Sequence, residues 1–193
     1  MFIKSVIALA AIVVVLAAVA ALQPSEFRVA RTATISAPAP AVFAQVNDLR
    51  KWQAWSPYDK LDPGMKKTYE GAPAGTGASY SWAGNSQAGA GRATITESRP
   101  DDLIRIKLDF VKPFAGSAIA EFAFKPEGNR TIVEWRFAGT NNFLCRAIGL
   151  FVNMDKMVGN QFEEGLAKLK SVVEAAPRDS AGTLPLIVGN THP

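Results

Sequence analysis

The side chains that could carry chemistry in this chain exclude more than they offer. It has one histidine, His192, next to the last residue, and one cysteine, Cys145. Ser-His-Asp and Cys-His catalysis need a positioned imidazole, which a tail histidine does not provide. Zinc and non-haem iron sites need His or Cys clusters. A lone cysteine closes no intrachain disulfide. No metal or other cofactor is expected, and acid–base work would fall to carboxylates, tyrosines or lysines.

Asp155 is the first such candidate. It falls near an apolar stripe, close in angle to Phe151, Val158 and Phe162. Facing a cavity, it could hold a polar ligand group, and burial would raise its pKa. The plainer reading makes it a helix cap or a solvent-edge residue. Glu97 shares strand parity with Ile95, but Arg99 on the same face points to a structural ion pair. Tyr69, Tyr80 and Trp82 could lend a phenol or indole donor to an apolar pocket, or they could be sheet core. Cys145 reads as a small apolar core residue.

Two tryptophans crowd the segment NDLRKWQAWSPYD, residues 47–59, at Trp52 and Trp55, with Tyr58 following Ser56-Pro57. At three-residue spacing the two indoles share one helical face. They either plug the core or line a ligand entrance. The glycine-rich GAPAGTG, residues 71–77, lacks the lysine of a phosphate loop and lies between strands, so it reads as a hairpin connection. GNSQAGAG, residues 84–91, reads as a flexible turn.

The elements that would position these residues follow from periodicity. Residues 27–35 alternate, with Phe27, Val29, Ala33 and Ile35 on one side, which predicts a half-buried strand; Arg31 falls on that apolar face, near a sheet edge. Ser36-Ala37-Pro38 opens a short helix through Val46, and Asn47-Asp48 stops it and caps a second, carrying Leu49 and Trp52. Strand-like runs follow over residues 65–70, 77–83, 91–98, 103–111, 117–125 and 131–139, separated by turn residues. Their short spacing calls for antiparallel neighbours with one apolar face. From Asn142 the period becomes helical, and Leu144, Ile148, Phe151, Val158, Phe162, Leu166, Leu169 and Val173 form one stripe, with a kink or break expected between Asn153 and Gly159. Pro177 ends this helix, and residues 178–193 read as a frayed tail.

Hydrophobic residues make up 48% of the chain and charged residues 20%, a globular balance. The net charge is +4, but the basic residues are scattered rather than striped, so no nucleic-acid partner is expected. SVIALAAIVVVLAAVAAL, residues 5–22, carries no charge and follows Lys4. Its length suits a membrane-spanning helix. A cleaved signal peptide is the alternative, with Ala18-Val19-Ala20 as a small-x-small site. Lys4 favours an N-inside orientation, which sends the domain across the membrane, although Arg28 and Arg31 weaken the bias. The expected location is a bacterial inner membrane, single-pass, with a periplasmic domain, or secretion after cleavage. The expected organisation is an anchor or signal segment over residues 1–24, one domain over 25–176 and a tail over 177–193.

Three stretches resemble a known family: ISAPAPAVFAQVNDLRKWQAWSPYD, the central YEGAPAGTGASYSW with GAGRATITESRPDD, and the closing MDKMVGNQFEEGLAKLK. Over roughly residues 26–175 the chain is similar to the SRPBCC superfamily of START/Bet v 1-like, polyketide cyclase/dehydrase and lipid-transport proteins, and to its membrane-anchored bacterial branch. The resemblance implies an α+β helix-grip fold: a curved antiparallel sheet of about seven strands wrapped on a long C-terminal helix. The two short helices would close one end of a cavity between sheet and helix. Trp52, Trp55, Tyr58, Tyr69, Tyr80, Trp82, Phe110, Phe122, Trp135, Phe151, Asp155, Val158 and Phe162 become the candidate lining residues.

Fold alone does not decide activity. The leading expectation is a membrane-tethered domain binding a lipid-like or other apolar small molecule. The second is a cyclase/dehydrase-type enzyme using a buried carboxylate or tyrosine. The third is a protein-interaction module with a filled cavity, for which the sequence names no partner.

Overall fold

The computed structural model describes residues 2–176; the expected tail and His192 lie outside them. An apolar helix α1 (Phe2–Leu22) precedes strand β1 (Glu26–Ile35) and helix α2 (Ala39–Asn47). Two short 3-10 helices, Leu49–Ala54 and Pro57–Lys60, lead to six strands. These are β2 (Lys66–Gly71), β3 (Ala78–Ala83), β4 (Ala90–Arg99), β5 (Leu103–Lys112), β6 (Gly116–Glu127) and β7 (Arg130–Thr140). Helices α3 (Phe143–Gly149) and α4 (Met154–Ala175) follow.

The strands form one antiparallel sheet in the order β1-β7-β6-β5-β4-β3-β2, so the first strand crosses to pair with the last and the other neighbours are hairpins. Alternation puts Val29 and Ile35 of β1, Ile104 and Ile106 of β5, Phe122 and Phe124 of β6, and Val133 and Trp135 of β7 into one core with Phe162, Leu166, Leu169 and Val173 of α4. The opposite face is wet and charged. There Glu121 lies between Arg105 and Arg136, each 2.8 Å away. Burial opposes ionisation of Glu121, but hydrogen bonds from these two arginines outweigh it and hold its pKa below the usual range. A bulge between Ile95 and Glu97 turns Glu97 to this face, where it pairs with Arg105 and Arg99.

The tryptophan segment is the packing centre. Asp48 caps the first 3-10 helix by accepting from the Arg50 amide at 2.9 Å. Trp52 and Trp55 are nearly inaccessible and pack against each other, Phe122 and Trp135. Trp135 stacks in turn on Phe162 at 4.0 Å and 7°. Each such aromatic pair contributes about 0.5–1.5 kcal/mol beyond area burial. Gly165 permits this closeness, because a Cβ there would stand 2.8 Å from Trp135 Cζ3 and 2.9 Å from Pro57 Cδ. The Ser-Pro step thus seats the chain beneath α4.

The expected break in the closing helix falls at Asn153, and two core expectations are corrected. The helical stripe from Asn142 is not continuous: Asn153 caps a new helix by accepting from the Lys156 amide at 2.8 Å. The break puts Leu144, Ile148 and Phe151 on the surface instead of on the sheet. Cys145, on α3, is half-buried and outside the core. Arg31 projects from the apolar face of β1, an edge strand as expected, and lies under Gly159 of α4, donating to Asp155 at 3.0 Å and Glu163 at 2.8 Å. A Cβ at residue 159 would sit 1.9 Å from Arg31 Nη2, so the guanidinium would have to move off its two carboxylates.

Candidate functional site

Between the sheet and α4 lies a cavity of about 300 Å³. Its floor is aromatic, formed by Trp52, Trp135 and Phe162. Its walls come from Tyr80 and Trp82 of β3, Leu108 and Phe110 of β5, Phe137 of β7, Ala120 of β6 and Val158 of α4. The space exists because β6 presents alanine where a larger side chain would reach α4. Lys112, Pro113 and Gln87 at the other extreme are exposed and form the rim.

Strand register locates that rim. Glu26 pairs with Thr140, Gly139 with Ala118, Phe110 with Gly116, Ala90 with Lys112, and Ala83 with both Ala90 and Lys66. Residues at the rim therefore share one end of the sheet with Glu26, which follows α1 by three residues. At the opposite end α2 is seated, with Phe43 packed edge-on to Phe124 and Ala37 O accepting from Thr131 Oγ1 at 2.8 Å. The cavity opens on the side of α1 and is closed on the side of α2.

The polar groups are few and specific. The Tyr58 and Tyr80 side chains line the cavity, and neither hydroxyl has a hydrogen-bond partner among the described residues. Burial pushes both phenols well above the usual tyrosine value. They are held as neutral donors. Trp135 Nε1 is buried without a partner. Asp59 also lines the cavity; its Oδ1 accepts from Lys67 Nζ, which lies 5.4 Å from the Tyr80 ring centre, while Oδ2 is buried and unpartnered. Buried polar groups are normally paired, so orphans gathered around one cavity mark a place where a ligand could supply partners.

Of the residues singled out from sequence, the cavity gathers Trp52, Tyr58, Tyr80, Trp82, Phe110, Trp135, Val158 and Phe162. Trp55 and Phe122 lie behind the floor as core, and Tyr69 packs at a tilt against Tyr80, ring centres 5.7 Å apart. Phe151 sits apart in a shallow groove by the end of α1, and is 77% exposed. Asp155 faces solvent in the first turn of α4, where the Arg31 guanidinium lowers its pKa rather than burial raising it. The indole nitrogens of Trp52 and Trp82 are spent on backbone carbonyls, Val46 O at 2.9 Å and Ala88 O at 3.0 Å, so Trp82 is a wall and not a donor.

Asp59 is the residue that sequence reasoning missed. A signal for it existed: Lys67 shares strand parity with Tyr69, so it points inward, and a buried lysine requires a nearby carboxylate. Leu61, Met65, Ala88, Leu108 and Phe137 were also not anticipated.

A curled antiparallel sheet gripping one long helix, closed at one end by short helices and hollow at the other, defines a helix-grip domain of the START/Bet v 1-like kind. The family model for polyketide cyclase / dehydrase and lipid transport matches residues 26–174, and the chain belongs to that family and to the SRPBCC superfamily. No curated protein matches it. Among solved structures it is similar to protein CV1439 from Chromobacterium violaceum, with 18% identity, TM-score 0.55, and coverage of 79% of this chain and 100% of that one. It is likewise similar to protein MLL2253 from Mesorhizobium loti, with 16% identity, TM-score 0.56, and coverage of 79% and 100%. Ara h 8.0201 shares 9% identity at a TM-score of 0.54, over 78% of this chain and 99% of that one. At these identities the likeness is one of fold.

Proposed function

We propose that this protein binds one apolar small molecule carrying a hydrogen-bond acceptor, such as a carbonyl or hydroxyl oxygen, in a domain tethered to the membrane by α1. The observation that carries the reading is the cavity itself: aromatic and aliphatic walls, with the two unpartnered phenols of Tyr58 and Tyr80 as donors. About 300 Å³ lies at the lower end of small-molecule pockets. That volume suits a single ring system or one acyl chain better than a two-chain lipid. An open cavity also weighs against an interaction module filled by its own side chains.

Binding is favoured over acid–base catalysis by the state of the polar groups. Tyr58 and Tyr80 are held protonated by burial, which makes them poor bases at neutral pH. Asp59, the carboxylate on the cavity wall, is neutralised by Lys67.

The tether reading is supported by α1, whose stretch Ile3–Leu22 is long and apolar enough to cross a bilayer. Retention rather than cleavage is supported by the packing of its end. Ala20 is fully buried, Ala21 O accepts from Arg146 Nη1 at 3.1 Å, and Ser25 O accepts from the Asn141 amide at 2.6 Å. Cleavage after Ala20 would remove part of that contact. With Lys4 held inside, the domain would face the periplasm of a bacterial cell. The domain limits proposed are residues 25–176.

The test is native mass spectrometry of the full chain in mild detergent, before and after organic extraction. A discrete extractable apolar mass, absent from Ala120→Phe, would support the reading. A clean protein mass, together with no binding of a fluorescent fatty-acid probe, would overturn it.

A further inference from the structure

Helix α3 is an anomaly for a surface helix. None of its residues is buried, and its large apolar side chains Phe143, Leu144 and Ile148 are exposed. Phe151 and Met157 extend the patch, with Phe151 77% and Met157 52% exposed. A water-facing helix turns its apolar stripe inward, whereas this one turns it away from the domain. Its inner contact is the end of α1, through Arg146 and the buried Ala20.

The patch does not stand alone. Phe114, at the β5–β6 hairpin, is 44% exposed and belongs to the same end of the sheet, because Phe110 pairs with Gly116 and Gly139 with Ala118. Outside α1, every large apolar side chain left exposed among the described residues lies at this end, Ile119 excepted. Lys66, Lys112 and Lys156 stand at the same end and make no ion pair among the described residues. Exposed aromatic and aliphatic side chains rimmed by free lysines have the composition of a surface that sits in a lipid headgroup layer.

We propose that α3, the turn after it and the β5–β6 hairpin form a foot that rests in the lipid interface beside the exit of α1, so that the cavity mouth faces the bilayer surface. The occupant of the patch is the lipid bilayer. Continuity argues for it: only the three residues Gln23-Pro24-Ser25 separate α1 from β1, and α3 packs on the last turns of α1. The patch is therefore held where a membrane crossed by α1 must end. This inference rests on the reading of α1 as a membrane span. It adds that ligand enters and leaves at the lipid surface instead of through water.

The test uses the full chain with Cys145→Ser, reconstituted in vesicles of phosphatidylcholine and phosphatidylglycerol. A nitroxide is attached to one introduced cysteine at a time: Val13→Cys, Phe151→Cys, Phe114→Cys or Lys125→Cys. All four positions are exposed, so folding is not at stake. Power-saturation EPR then compares collision with oxygen, enriched in lipid, and with a water-soluble nickel chelate. The expected order is Val13 deep, Phe151 and Phe114 at the headgroup level, and Lys125 in water. Labels at Phe151 and Phe114 as wet as Lys125, with Val13 still deep, would overturn the foot and leave the anchor standing. A wet label at Val13 would overturn both. Spin–spin broadening at Phe151 would assign the patch to a second copy of this chain and overturn the bilayer as its occupant.

Discussion

Lys67→Met tests the reasoning about the cavity wall most directly. The ammonium of Lys67 and the carboxylate of Asp59 are 10% and 11% exposed, so solvent screens them little. Asp59 Oδ2 already lacks a partner, and removing Lys67 leaves Oδ1 without one too. Breaking one side of a buried pair costs about 3–5 kcal/mol, since the remaining charge stays desolvated. With a urea dependence of about 2 kcal/mol per molar, the unfolding midpoint should fall by about 2 M. The assay is urea unfolding of the full chain in detergent micelles, followed by tryptophan fluorescence. Trp52, Trp55 and Trp135 make this a report on the core. Replacing both partners by apolar residues, Asp59→Leu with Lys67→Met, should restore stability to within about 1 kcal/mol of the parent, because apolar groups of similar volume carry no such penalty. A single-variant loss below about 1 kcal/mol would mean that the pair behaves as a surface ion pair. In that case the account of a dry, specific polar group beside the ligand would be wrong.

Phe162→Ala should cost about 3–5 kcal/mol by the same assay, through loss of the stack on Trp135, and should enlarge the cavity. Gly159→Ala gains about 1 kcal/mol of helix propensity yet should still destabilise, because its methyl takes the place of the Arg31 guanidinium; adding Arg31→Ala should recover part of the loss, and a stabilised single variant would refute the clasp. At alkaline pH the raised phenol pKa values of Tyr58 and Tyr80 stabilise the fold fully below pH about 10, the unfolded tyrosine value, and that stabilisation disappears as pH rises above it. The Tyr58→Phe, Tyr80→Phe double variant should flatten this alkaline limb in unfolding midpoints measured against pH.

Much of the fold is legible in the residue pattern because strand parity and helical period are local properties. Ile104, Ile106, Leu108 and Phe110 had to share a face, as did Ala118, Ala120, Phe122 and Phe124, and both sets do. The segment 47–59 could be read as a packed aromatic element, since two indoles at three-residue spacing beside a Ser-Pro stop have little option but to pack. The spacing did not show that Trp55 is core while Trp52 also floors the cavity. The family resemblance of that segment then led to the helix-grip arrangement. Asp155 left a cavity reading and a solvent-edge reading open for a local reason: angular position on a helix says nothing about which partner crosses it, and Arg31 arrives from 124 positions away. Phe151 lies on the surface: a helical period, even with a break expected near Asn153, does not reveal that the turns before the break leave the sheet.

The sequence by itself determined the apolar N-terminal helix, the antiparallel sheet with its apolar face, the amphipathic closing helix and the poverty of histidine and cysteine chemistry. These depend on composition and on neighbours within a few residues. Only the tertiary structure decided that Ala120 leaves a hollow, that Lys67 finds Asp59 at its wall, and that the phenols of Tyr58 and Tyr80 converge on it unpartnered. Only the register of seven strands set the mouth of that hollow at the end where α1 departs. These are distances between residues far apart in sequence, and they arise from how the faces meet.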